Sequence, residues 1–193
     1  MKFKIKKTQP KPIKKTTLNR FLRKRMIIYV LPNMFFNFII AYASFNELGY
    51  THFFAGTQCL ARLTLPMAIF LPVVLTIDII KRVTDAASQN AIEFAVDDQL
   101  NLKKMIAKLS ILHGIITGSL VLSGLLFAQL ILSEYYKLDA AAMAIVVGIL
   151  AGLLSILFTY LPIIKLKRHL YKPMHIISSD MTEKNFNPIK KPL

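Results

Sequence analysis

Apolar residues fall along this chain in four long blocks, 26–45, 60–80, 105–132 and 140–164, divided by short polar stretches. An α-helix rises about 1.5 Å per residue, so roughly 20 residues cross the ~30 Å hydrocarbon layer with every backbone polar group satisfied inside the segment. Each block is long enough. The pattern predicts an all-α membrane protein, four transmembrane helices arranged as two antiparallel hairpins. What remains lacks the apolar content to build a core. The expected organisation is therefore a basic tail (1–25), a four-helix transmembrane domain (26–164) and a second basic tail (165–193), with no soluble domain.

Composition agrees. Of the 193 residues, 54% are hydrophobic and 18% charged, and mean hydropathy is +0.49. A soluble domain is nearer a quarter charged, so a disordered chain, a secreted disulfide scaffold and an ordinary cytosolic enzyme are all excluded.

The basic residues set an orientation, because Lys and Arg close to helix ends are retained on the cytoplasmic side. Eleven precede the first helix, four lie in 81–104 and seven follow the fourth helix, whereas 46–59 holds none and 133–139 only Lys137. Both termini are expected in the cytoplasm. Tyr50, Phe53, Phe54, Tyr135 and Tyr136 would mark the outer interface, and Tyr29, Tyr160 and Tyr171 the inner one. The first 25 residues contain no acid and are richer in Lys than Arg, which fits a multi-pass protein of the bacterial inner (cytoplasmic) membrane better than an organelle transit peptide. Ala41-Tyr42-Ala43 offers a small-x-small cleavage site, but Pro32, Asn33 and Asn37 interrupt the apolar run that a signal peptide would need. The first block is expected to stay as a helix.

Ionisable and amide groups inside a bilayer are the default functional candidates, because each must find a partner. Asp78 and Lys108 lie about three residues from the inner ends of consecutive helices and are positioned for an ion pair, or for separate reach to the headgroups. Arg62, near the outer end of its helix, can snorkel. His113 is expected roughly 13 Å deep on the third helix. Asn33 and Asn37, four apart, share one face of the first helix. With His113 they make either polar glue between helices or the lining of a wet pathway. Gly114/Gly118 and Gly148/Gly152 place two small-residue pairs on consecutive helices, where close backbone approach compensates for the missing hydrophobic drive in lipid. The expected contact is between helices three and four. Pro32, Pro66, Pro72 and Pro162 predict kinks.

Catalytic constellations do not appear in the sequence. Cys59 is the sole cysteine, the four histidines lack metal-ligand spacing, and neither a Gly-x-Ser-x-Gly elbow nor a Gly-rich phosphate loop occurs. No enzyme activity, metal or cofactor is expected. The 81–104 connector, with Val83, Ala87, Ala91, Phe94 and Ala95 on one side, suggests a short surface-lying helix.

Two local likenesses remain. The stretch KPMHIISSDMTEKNF, through Pro173, Met174, Ile177 and Met181, resembles the first helix of a HAMP signalling linker, and Leu170 would open its apolar seam. The usual Gly-Asp and a second linker helix are absent, so no signalling output is expected in cis. FLPVVLTIDIIKRV resembles the second helix of small bacterial two-helix membrane proteins of unknown function, and such a hairpin used twice would explain four evenly spaced helices.

The sequence thus leads to a structural, assembly or regulatory component acting by helix packing, with a small transporter or channel as the alternative. Its expected partners are the bilayer, anionic lipid headgroups at the basic tails, and a second copy or another membrane protein. The amino-terminal tail has only Phe3 and Phe21 for stacking and no nucleic-acid-binding fold, so nucleic acid is not an expected partner.

Overall fold

A computed structural model describes residues 16–97, 100–132 and 136–171. Four long helices dominate it: α1 (Leu18–Phe45), α2 (Leu60–Ser88), α3 (Leu102–Ile131) and α4 (Ala140–Leu166). All four are long and apolar enough to cross a membrane. Each outruns its apolar block at one end or both. α1 begins at Leu18 because Leu18 and Leu22 are buried in a core at that end, which extends the helix beyond the apolar block while Arg23 and Lys24 stay exposed. Where the sequence suggested a separate connector helix, Val83, Ala86 and Ala87 instead lie buried in the last turns of α2. Side chains hold several starts: Asp139 accepts from the Ala142 amide at 2.7 Å and Asn101 from the Lys104 amide at 3.1 Å.

Among the described residues, four two-residue strands lie beside the helix ends: β1 (Tyr50–Thr51), β2 (Ala95–Val96) and β3 (Leu138–Asp139) in the turns, and β4 (Leu170–Tyr171) after α4. β1 pairs antiparallel with β3, and β2 with β4. Thr16 forms a parallel bridge with Ile92. The α1–α2 and α3–α4 turns therefore meet at one end of the bundle. The start of α1, the α2–α3 turn and the exit from α4 meet at the other.

Helix packing departs from the expected hairpins. α1 packs along α4 and α2 along α3, with α2 and α4 in contact at the centre, so the order across the bundle is α1-α4-α2-α3. Burial follows this order, since 44% of the most apolar stretch of α2 and of α4 is buried against 6% for α1. Exchange of the halves α1-β1-α2-β2 and α3-β3-α4-β4 turns the α1–α4 pair into α3–α2 and returns α2–α4, β1–β3 and β2–β4 to themselves. Each helix thus packs chiefly against a helix of the other half.

Two larger apolar clusters close the ends. Leu18, Leu22, Ile80, Val83, Leu109 and Leu166 draw all four helices together at the end where α1 begins and α4 finishes. Ala41, Phe45, Leu60, Ala144 and Val147 do so for α1, α2 and α4 at the other. The fully buried residues of α3 end at Gly118, and beyond it Leu125 and Ala128 pack, partly buried, against this second cluster.

Candidate functional site

The glycine pairs explain the packing order. An added Cβ at Gly114 would fall 2.7 Å from Val73 Cγ2 and 2.9 Å from the Ile69 carbonyl, and one at Gly118 would fall 2.6 Å from Ile69 Cγ1. Both neighbours belong to α2. Gly148 and Gly152 face Met34 and Phe38 of α1. The expected α3–α4 contact is thus replaced by two separate ones. Each glycine pair admits larger side chains from another helix, Ile69 and Val73 of α2 in one case and Met34 and Phe38 of α1 in the other.

The polar candidates divide in the same way. Asn33 donates from Nδ2 to Ser155 Oγ at 2.9 Å across the α1–α4 interface, and Asn37 donates to the Asn33 carbonyl at 2.7 Å. Ser155 in turn donates to the Ala151 carbonyl at 2.8 Å. His113 is buried beside α2, with Nδ1 at 2.9 Å from Thr76 Oγ1 and its ring 5.0 Å from that of Phe158. Asn33 and Asn37 therefore do not share a lining with His113. Thr76, Ser155 and Thr159 carry buried hydroxyls that the sequence reading passed over; their spacing against His113 and Asn33 was invisible without the helix pairing.

Asp78 finds its partners elsewhere than Lys108. Tyr29 of α1 donates its hydroxyl to Asp78 Oδ2, and Arg82, one turn along α2, donates Nε to the same oxygen at 2.7 Å. Lys108 is exposed and makes no ion pair among the described residues. The i,i+4 geometry on one helix supplies the cation without any need to cross to α3. Arg62 reaches back to donate to the Thr57 carbonyl at 2.7 Å, in the turn before α2.

Between α3 and α4 runs a cleft of about 520 Å³. Leu112, Ile116 and Leu120 of α3 oppose Leu157, Leu161 and Ile164 of α4, with His113 and Thr117 among its lining and Lys165 and Arg168 at one end. Among the described residues no three His, Cys, Asp or Glu side chains are grouped to hold a metal ion. Leu170 is extended in β4, and the rest of the HAMP-like stretch, Pro173, Met174, Ile177 and Met181, lies outside the described residues together with Tyr135 and residues 1–15.

Four apolar spanning helices tied by interhelical hydrogen bonds define a multi-pass helical membrane protein. Against known protein families, curated proteins and solved structures, the chain has no match.

Proposed function

We propose that this chain is a non-catalytic component of a bacterial inner membrane that acts through helix packing with itself or with another membrane protein, both termini on the cytoplasmic side. The observation that carries this reading is the use of the intramembrane polar groups. Asn33 bonds Ser155, His113 bonds Thr76, and Tyr29 bonds Asp78, each between two helices. Groups spent in this way pin the relative rotation of the helices, because an amide or imidazole turned into lipid would lose its partner. α1 leaves Leu31, Phe35 and Phe36 exposed on its outer side, an apolar face for lipid or a partner helix.

Orientation is read from reporter fusions. Signals from the cytoplasm after Lys15, Asn90 and Lys184, and from outside after Thr51 and Lys137, are expected from the distribution of Lys and Arg. Mode of action is read from single-cysteine variants at Phe35 or Phe36 in a Cys59→Ser background, cross-linked in native membranes. Defined adducts with a second copy or another membrane protein support packing. Solute or ion flux into proteoliposomes, lost in a folded His113→Leu variant, would replace this reading with transport.

A further inference from the structure

The cleft between α3 and α4 has a length, a wall chemistry and a charge at one end. From Leu109 to Leu120 the α3 wall rises about 16 Å, close to one leaflet of the ~30 Å hydrocarbon layer. Its volume of about 520 Å³ lies within the range of small-molecule sites, roughly 300–1,000 Å³. Lys165 and Arg168 line the end of the cleft where α4 finishes, and none of the described residues lining it is acidic. Neither cation has an ion-pair partner among the described residues.

The other half of the fold provides a contrast. At the same end, the gap between α1 and α2 is spanned by Tyr29 and Asp78, and Arg82 is neutralised by that carboxylate. Exchange of the halves carries the α1–α2 gap onto the α3–α4 gap. One gap is thus bridged and charge-balanced by the protein's own side chains. The other is open, lined mainly by Leu and Ile with His113 and Thr117 in its wall, and positive at its mouth.

We propose that the α3–α4 cleft binds one anionic phospholipid, with an acyl chain between the helices and the phosphate on Lys165 and Arg168. The chain fills the space where α3 stands off from α4, and the phosphate supplies the negative charge that the protein supplies at the opposite gap. Arg168 offers a planar fork that matches phosphate oxygens, and Lys165 a flexible ammonium beside it. A zwitterionic lipid would fit the walls equally well but would bring its own cation to the mouth.

The chain contains no Trp, so a single introduced Trp reports locally on lipid contact. Leu157→Trp places one in the cleft. Leu31→Trp places one on the exposed apolar face of α1, away from the cleft, and the Asn33–Ser155 bond sets the two at similar depth. Full-length protein is reconstituted in dioleoyl phosphatidylcholine vesicles containing either brominated phosphatidylglycerol or brominated phosphatidylcholine, and quenching is compared. At Leu157→Trp the anionic lipid should be preferred by several-fold, roughly five-fold for each basic residue that contributes. At Leu31→Trp preference should be near unity. Lys165→Gln with Arg168→Gln should bring the cleft probe to unity and leave the α1 probe unchanged. Both charges are exposed, so the fold should survive, and Leu161→Trp gives a second cleft probe if Leu157→Trp does not fold. Equal quenching by both lipids in the cleft, the same preference at both probes, or a preference that survives the double substitution would overturn the proposal.

Discussion

His113 illustrates how a single polar group in lipid is settled by one neighbour. Its Nδ1 and the Thr76 hydroxyl share a hydrogen bond, and Phe158 covers the ring. Hydrogen bonds between membrane helices are worth about 0.6 kcal/mol on average and about 1.7 at most, because the separated helices also find partners. His113→Leu should therefore cost about 1 kcal/mol, and a double-mutant cycle with Thr76→Val should return a coupling of about 0.6 kcal/mol in a detergent unfolding titration. Zero coupling would mean that the pair does not hold α2 to α3. The same cycle between Asn33→Ala and Ser155→Ala, read in the same titration, should give a comparable coupling for α1 and α4.

At the scale of the helix, the glycines predict a ranking. A methyl at Gly114 meets the Ile69 carbonyl at 2.9 Å, and backbone cannot move aside without shifting α2. At Gly118 the obstacle is the Ile69 side chain, at Gly148 both Phe38 Cβ and the Met34 carbonyl at 3.0–3.1 Å, and at Gly152 only ordinary contact at 3.5 Å. Gly114→Ala should cost the most, about 2–3 kcal/mol, as overpacking of a close contact. Gly152→Ala should be neutral within about 0.5 kcal/mol, and Gly124→Ala likewise, since nothing lies within 4 Å of that position. Ile69→Ala should rescue Gly118→Ala but not Gly114→Ala. Thermal melts in one detergent would order the series, and equal losses at Gly114 and Gly152 would contradict the packing. The Gly-x-x-x-Gly pattern was legible in the sequence. Which helix each pair meets was not, because spacing on one helix carries no information about the helix opposite.

At the scale of the whole molecule, the packing order α1-α4-α2-α3 can be tested by linking the turns. Tyr50 stands opposite Asp139, and Ala95 opposite Tyr171. Opposed residues in an antiparallel pair have Cα atoms about 4.5–5.5 Å apart, which a disulfide can span. In a Cys59→Ser background, Tyr50→Cys with Asp139→Cys should cross-link under mild oxidation, as should Ala95→Cys with Tyr171→Cys. Proteolysis between the halves should leave the fragments joined on a non-reducing gel. Failure of both pairs to form would mean that the halves are not interlocked as described.

The sequence by itself determined the medium and the number of helices, because the requirement to satisfy a backbone in lipid acts on each segment alone and is written in its length and apolarity. It also marked the residues that would be costly if unpaired, Asn33, Asn37, Asp78 and His113, since that cost depends on residue type and approximate depth. Only the tertiary structure decided their partners. Asp78 could be matched with Lys108 on depth alone, yet Tyr29 and Arg82 hold it, and the two glycine pairs could face each other, yet they face α2 and α1. In lipid no gradient of hydrophobicity distinguishes one apolar helix face from another, so the choice of neighbour rests on shape and hydrogen-bond fit between surfaces far apart in the chain. The cleft between α3 and α4 arises from the same choice: α3 follows α2 and leaves its other flank open beside Lys165 and Arg168.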